Sequence, residues 1–174
     1  MSEVLFSPEE LDDALTLLVA ELVAVGVEAR FQIVGAAAVT LQVGREALTR
    51  DIDALYASTP ELDEVIKRIA RVKNWPDTWI NNAVQMFVSH YDTQSDWDLR
   101  SEVQGVVVLV ARPQLLLAMK LLAGRGRRDA DDIDRLLDKC EITSVQAAKN
   151  IFDRYYPTEV IAAPALAQLH ARYG

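Results

Sequence analysis

The chain has 174 residues, 51% of them hydrophobic, a length that fills one apolar core and is short for two. Its formal net charge of -8 excludes coating of nucleic acid by a whole-molecule basic field, so any anionic partner has to meet a local cluster of cations. A single cysteine, Cys140, excludes an internal disulfide and a cysteine-based metal site, and only two histidines, His90 and His170, are available as ligands.

In chain order, Ser7, Pro8 and Glu10 spell a capping box, and Leu11, Leu15, Leu18, Leu22 and Val25 follow at helical spacing until Gly26. "ARFQIVG" reads as a strand ending at Gly35, "AAAVTLQVG" as a small-residue helix, and "DIDALYA" as a second strand. "TPELDEVIKRIARVKN" is an amphipathic helix capped by Thr59. A turn at Pro76 and a short helix from Asp77 are expected next. "DTQSDWDLRSEVQG" is polar enough to be a loop, and the β-branched run "VVVLVA" suits a strand buried on both faces.

From Pro113 the period is helical: "RPQLLLAMKLLAGRG", "RDADDIDRLLDKC", "TSVQAAKNIFDRYYP" with a capping box from Thr143 to Gln146, and a last segment broken at Pro164. The expectation is an α+β fold in a single domain, 1–174: a sheet-containing core over 1–112 and a helical part over 113–174. No apolar run approaches the roughly 20 residues of a membrane span, and the acidic start lacks the basic, apolar pattern of a signal peptide. A cytoplasmic chain without a membrane partner, beginning at Met1, is therefore expected.

Residues two apart in a strand share a face, so "DID" presents Asp51 and Asp53 side by side, about 6.5 Å apart at Cα. Mg²⁺ takes oxygen ligands and is commonly held by one or two carboxylates together with substrate phosphates. Upstream, Gly35 ends a strand where a small-residue helix starts, a place where backbone N–H groups can meet a phosphate. The opposing reading puts the two carboxylates on a solvated sheet edge with no chemical task. Arg125, Arg127 and Arg128 form the densest positive cluster of an acidic chain, either a solvated helix end or a phosphate or RNA contact. Trp75 and Trp79 are read as packing residues in preference to base-stacking ones. Cys140 is read as a small buried hydrophobe.

Gly35-Ala36, the short helix and "LTRDID" resemble the glycine-then-D-x-D signature of nucleotidyltransferase-like proteins. "LLLAMKLLAGRGRRDADDIDRL" is similar to the AbiEii-type branch, with a lysine on a leucine-rich helix before an arginine- and aspartate-rich run. "WINN" and "IFDRYYP" resemble a small bacterial group within that branch, so the likeness runs from about Val34 to Pro157. It implies a mixed sheet flanked by helices and Mg²⁺-dependent transfer of an NMP from an NTP to an acceptor that is RNA (tRNA included), protein or a small molecule. It also implies use as a toxin with a cognate antitoxin. On this resemblance Asp51 and Asp53 hold the metal, and Gly35, Ala36 and Arg50 approach the nucleotide. Lys120 meets developing phosphate charge. Asp129 and Asp132 match the acidic pair, with Arg127 beside them, some of them orienting Lys120 or Arg127.

Three positions depart from the pattern. Ala36 has no hydroxyl, Ala47 stands where an arginine is frequent, and "GVVVLVA" carries no third carboxylate, leaving Asp96 or Asp98 to supply one. Two readings follow: an active transferase, or a nucleotide- or partner-binding module of the same fold that has lost a complete metal site. A third reading makes the C-terminal helices a structural interface.

Overall fold

A computed structural model describes residues 4–174. The elements are α1 (Pro8–Ala24), β1 (Ala29–Ile33), α2 (Gly35–Val43), β2 (Ile52–Leu55), α3 (Pro60–Lys73), β3 (Ile80–Asn81), β4 (Trp97–Val103), β5 (Val106–Ala111), α4 (Pro113–Ala123), α5 (Arg127–Lys139), α6 (Val145–Tyr155) and α7 (Ala163–Tyr173). The sheet runs β3-β2-β1-β5-β4 and is mixed: β1 is parallel to β5 and antiparallel to β2, β2 is parallel to β3, and β4 is antiparallel to β5. This is an α+β fold with a helical C-terminal half.

Local chemistry accounts for most boundaries. Ser7 Oγ accepts from the Glu10 N–H at 3.2 Å while Glu10 Oε2 accepts from the Ser7 N–H at 2.8 Å, closing the capping box that starts α1. Leu11, Leu15, Leu18 and Leu22 form the buried stripe of α1. The β-branched run 106–111 lies next to the sheet centre, and Val106, Val108, Leu109, Val110 and Ala111 are buried. α2, α5, α6 and α7 gather round α4, whose Leu115, Leu116, Leu117 and Leu121 are fully or almost fully enclosed. One apolar core extends from Phe6 to Leu169.

Four expectations need correction. The segment 92–105 is not all loop: 97–103 is edge strand β4. Trp97, Leu99 and Val103 alternate with Asp98, Arg100 and Glu102, but only the first residue of the strand is buried and the surrounding stretch is polar. Pairing comes instead from a two-residue turn, Gln104-Gly105, with both φ angles positive (45° and 82°), as a tight hairpin requires. Ile80–Asn81 is a strand beside β2, not the start of a helix, and a single 3-10 turn, Ala83–Phe87, follows it. α6 is capped by Ser144, one residue later than Thr143, through its hydroxyl and the Ala147 N–H at 3.1 Å. Pro164 lies in the first turn of α7 and so starts that helix, because a missing N–H costs nothing there.

Trp75 and Trp79 are packing residues. Phe6 meets Trp75 edge-on at 5.0 Å, the two indoles lie 5.2 Å apart, and Trp79 Nε1 donates to the Ile66 carbonyl at 3.2 Å. Cys140 is half-buried, and burial pushes its thiol up to about 11. No helix among the described residues is long and apolar enough to cross a membrane.

Candidate functional site

The geometry begins where β1 ends. The Val34 N–H donates to the Asp53 carbonyl at 2.9 Å, tying the start of α2 to β2. Gly35 then turns the chain with φ +64°, and a Cβ at this position would lie 2.7 Å from Asp53 Oδ2. Two independent constraints therefore select glycine: left-handed backbone and the passage of a carboxylate across its face. Gly35→Ala is expected to destabilise the protein by about 2 kcal/mol, a fall of roughly 4–8 °C in Tm by calorimetry. An unchanged Tm would show that the Gly35 and Asp53 contact is not tight.

Asp51 precedes β2 instead of lying in it, yet it faces the same cavity as Asp53. The Asn81 amide, on neighbouring β3, donates to Asp51 Oδ2 at 3.2 Å. Burial raises the Asp53 carboxyl to about 6, with the negative charge of Asp51 adding to the effect and Arg125, Lys120 and Arg128 opposing it. A group in that position gains from any cation brought against it.

Across the cavity stand α4 and α5. Lys120, 5% exposed, is turned inward on the leucine-rich helix and bonds Asp129 Oδ1 and Asp132 Oδ2, both at 2.8 Å. Asp129 and Asp132 are three apart on α5 and so share a face. Burial works against ionised Asp129, but hydrogen bonds from Lys120 and Arg125 hold its carboxyl below the usual range. Arg125 donates to Asp129 through both its backbone N–H and its Nε, each at 3.1 Å. Arg45, just beyond the left-handed Gly44 that ends α2, brings Nε to 2.8 Å from Asp132 Oδ1. That approach is an ion pair without hydrogen-bond alignment, and Arg45 Nη1 is buried with no hydrogen-bond partner.

These groups enclose a polar cavity of about 340 Å³. Ala36, Asp51, Asp53, Arg45, Arg50, Lys120, Arg125, Arg128, Asp129 and Asp132 line it together, so two carboxylates from the sheet side share one space with four arginines. A second cavity of about 320 Å³ adjoins it, sharing Asp53, Lys120 and Arg125. Gly35 and the apolar Val84, Phe87, Leu116, Met119 and Ala123 complete its lining. Eight of the nine residues singled out in the sequence thus surround two joined cavities. Arg127 does not: it lines a separate groove with Pro164 and Gln168 of α7. One residue makes the difference, since Arg128 turns 100° further round α5 and reaches the carboxylate side.

The sought third carboxylate is elsewhere. Asp96 accepts from the Tyr155 hydroxyl at 2.7 Å and from Arg154 at 3.1 Å, and Asp98 from Gln42 at 3.0 Å and Arg112 at 2.7 Å. Neither lines the cavities around Asp53, and the described residues hold no cluster of three or more candidate metal ligands. Two carboxylates facing open polar space suit Mg²⁺, which keeps waters and completes its shell with substrate phosphate. They do not make a cage for a tightly held ion.

Asn81, Arg45, Arg125 and Arg128 are the residues that sequence reasoning did not assign to the site. Asn81 joins only because β3 pairs with β2, and Arg45 only because α2 and α5 meet. The arginine cluster itself was the signal for Arg125 and Arg128.

The sequence profile of a family described as nucleotidyltransferase of unknown function (DUF6036) matches residues 13–157. No curated protein matches the chain significantly. Among solved structures the chain is similar to an antigenic nucleotidyltransferase-like protein from Paracoccidioides brasiliensis. The identity is 14%, with 97% of this chain and 95% of that one covered and a TM-score of 0.46, a likeness too low to bear on function.

Proposed function

The chain belongs to this nucleotidyltransferase family, and from that premise we propose that it transfers an NMP from an NTP to an acceptor with the help of Mg²⁺. The observation that supports the reading best is that Asp51 and Asp53 line one cavity together with Lys120 and four arginines. Bound Mg²⁺ at these carboxylates would offset the charge of the phosphates as they react. The protein's own groups do the rest. α2 has no side-chain cap, so its first N–H groups, near Gly35 and Ala36, are open to a phosphate oxygen. Arg45, Arg50, Arg125 and Arg128 hold the β and γ phosphates. Lys120 donates to Asp129 and forms an ion pair with Asp132, and the rest of its ammonium charge is turned to the cavity where the substrate would lie. The acceptor hydroxyl oxygen forms a bond to the α phosphorus as its proton passes to solvent, the bond from that phosphorus to the bridging oxygen breaks, and pyrophosphate leaves.

RNA, tRNA included, protein and small molecules are the acceptor classes to test. The AbiEii-type pattern around Lys120 and Asp129 favours a toxin neutralised by a cognate antitoxin. Incubation with each α-labelled NTP, Mg²⁺ and total tRNA or cell protein should give labelled acceptor. The Asp51→Asn, Asp53→Asn double variant should lose transfer by on the order of 10³-fold. Induced expression should arrest growth only with both carboxylates intact. Absence of label on every acceptor, with NTP affinity unchanged in the double variant, would refute the enzymatic reading. One observation favours the alternative of a binding module: Asp96 and Asp98 are bound to other partners and line neither cavity, so neither supplies a third carboxylate beside Asp51 and Asp53.

A further inference from the structure

The two joined cavities differ in chemistry, and the difference bears on which nucleotides the site accepts. The polar one has four arginines on its wall. Among them, buried Arg45 Nη1 has no hydrogen-bond partner, an expensive state for a guanidinium donor and one that a phosphate oxygen would relieve. The adjoining cavity of about 320 Å³ falls within the range of small-ligand sites. Its own lining side chains, those of Val84, Phe87, Leu116, Met119 and Ala123, offer no conventional hydrogen-bonding group beyond the weakly accepting Met119 sulfur. The polar side chains that reach it, Asp53, Lys120 and Arg125, are those it shares with the polar cavity, and Lys120 and Arg125 are already bonded to Asp129.

We propose that the protein recognises its NTP by the triphosphate and not by the base: the phosphates lie among Arg45, Arg50, Arg125 and Arg128, and the base enters the apolar cavity against Phe87. The proposal rests on the nucleotidyl-transfer reading above. Strong discrimination between bases requires fixed donors and acceptors at the base edge, because a site built to hydrogen-bond rejects the wrong partner by leaving its own buried groups unpaired. An apolar wall has no such groups to leave unpaired. It can still attract any base, since every base presents a π face to an aromatic side chain. Phe87, 60% exposed at the end of the 3-10 turn, can be replaced without opening the core.

The test is calorimetric titration of the full chain, in Mg²⁺, with ATP, GTP, CTP, UTP and inorganic triphosphate. The four NTPs are expected within about fivefold of one another, and inorganic triphosphate is expected to bind. Phe87→Ala should weaken all four NTPs about tenfold and leave inorganic triphosphate unchanged. Arg45→Gln, and separately the exposed Arg128→Gln, should weaken NTPs and inorganic triphosphate alike. A 50-fold preference for one base overturns the inference while leaving nucleotidyl transfer intact. So does an unchanged NTP affinity in Phe87→Ala, which would give the apolar cavity to the acceptor. Failure of every NTP to bind overturns the transfer reading together with this one.

Discussion

Lys120→Met is expected to cost about 3–5 kcal/mol, seen as a lower urea midpoint with an unchanged slope and a Tm lower by roughly 10 °C. The reason lies in what the lysine leaves behind. Asp129 and Asp132 are each no more than 2% exposed, and both place an oxygen 2.8 Å from the ammonium. Removing it strands two carboxylates in the contact between α4 and α5, where Arg125 and Arg45 compensate only part of the charge. Neutralising the stranded groups should therefore rescue the fold. The triple variant Lys120→Met, Asp129→Asn, Asp132→Asn is expected to recover more than half of the loss, because the three residues act as one coupled unit. A loss below about 1 kcal/mol in Lys120→Met would mean that the cluster does not hold the two helices together.

Asp53→Asn should behave in the opposite way, stabilising the protein while removing transfer. In the folded state the Asp53 carboxyl is raised to about 6 by burial and by Asp51, above its ordinary value of 3.8. The folded protein therefore binds a proton more tightly than the unfolded chain. Stability from this group is fully present below about pH 4 and is lost as pH rises through 6. The amide does not ionise, so the variant should match the wild type near pH 4 and exceed it above pH 7. The gain is about 1–2 kcal/mol once solvent screening is allowed for, or some 3–6 °C in Tm. Mg²⁺ should raise the Tm of the wild type at pH 7.5 and leave the variant unmoved. Equal Tm values for the two proteins from pH 4 to pH 8 would refute the strained carboxylate.

The sequence was informative wherever the responsible chemistry is local. Ser7 with Glu10, Thr59 and the leucine stripe of α1 announce their helices because a cap or a helical face is made by neighbours three or four residues away. Gly35 was legible as a strand-to-helix turn, and the glycine, D-x-D and Lys120 pieces together pointed to nucleotidyltransferase-like proteins, the level at which the family match agrees. Strand β4 was hard to read because the alternation of Trp97, Leu99 and Val103 with charged residues sits inside a mostly polar stretch, and the strand depends on its hairpin partner for its form. Ser144 was missed by a single step because Thr143 and Ser144 stand side by side and local pattern does not choose between them, while Pro164 was read as a break because a proline can either start or interrupt a helix.

By itself, then, the sequence determined most of the helices, strands β1, β2 and β5, and the acidic pair. Only the tertiary structure decided that Asp51 and Asp53 face Lys120 and the arginines, that Asn81 reaches Asp51, and that Asp96 and Asp98 are bound to other partners. It also decided that Arg128, and not Arg127, turns to the carboxylates. The physical reason is one of range. Caps and periodic faces depend on interactions a turn apart, whereas Arg45 and Asp132, or Asp53 and Lys120, are brought together only when helices and sheet close over a shared core.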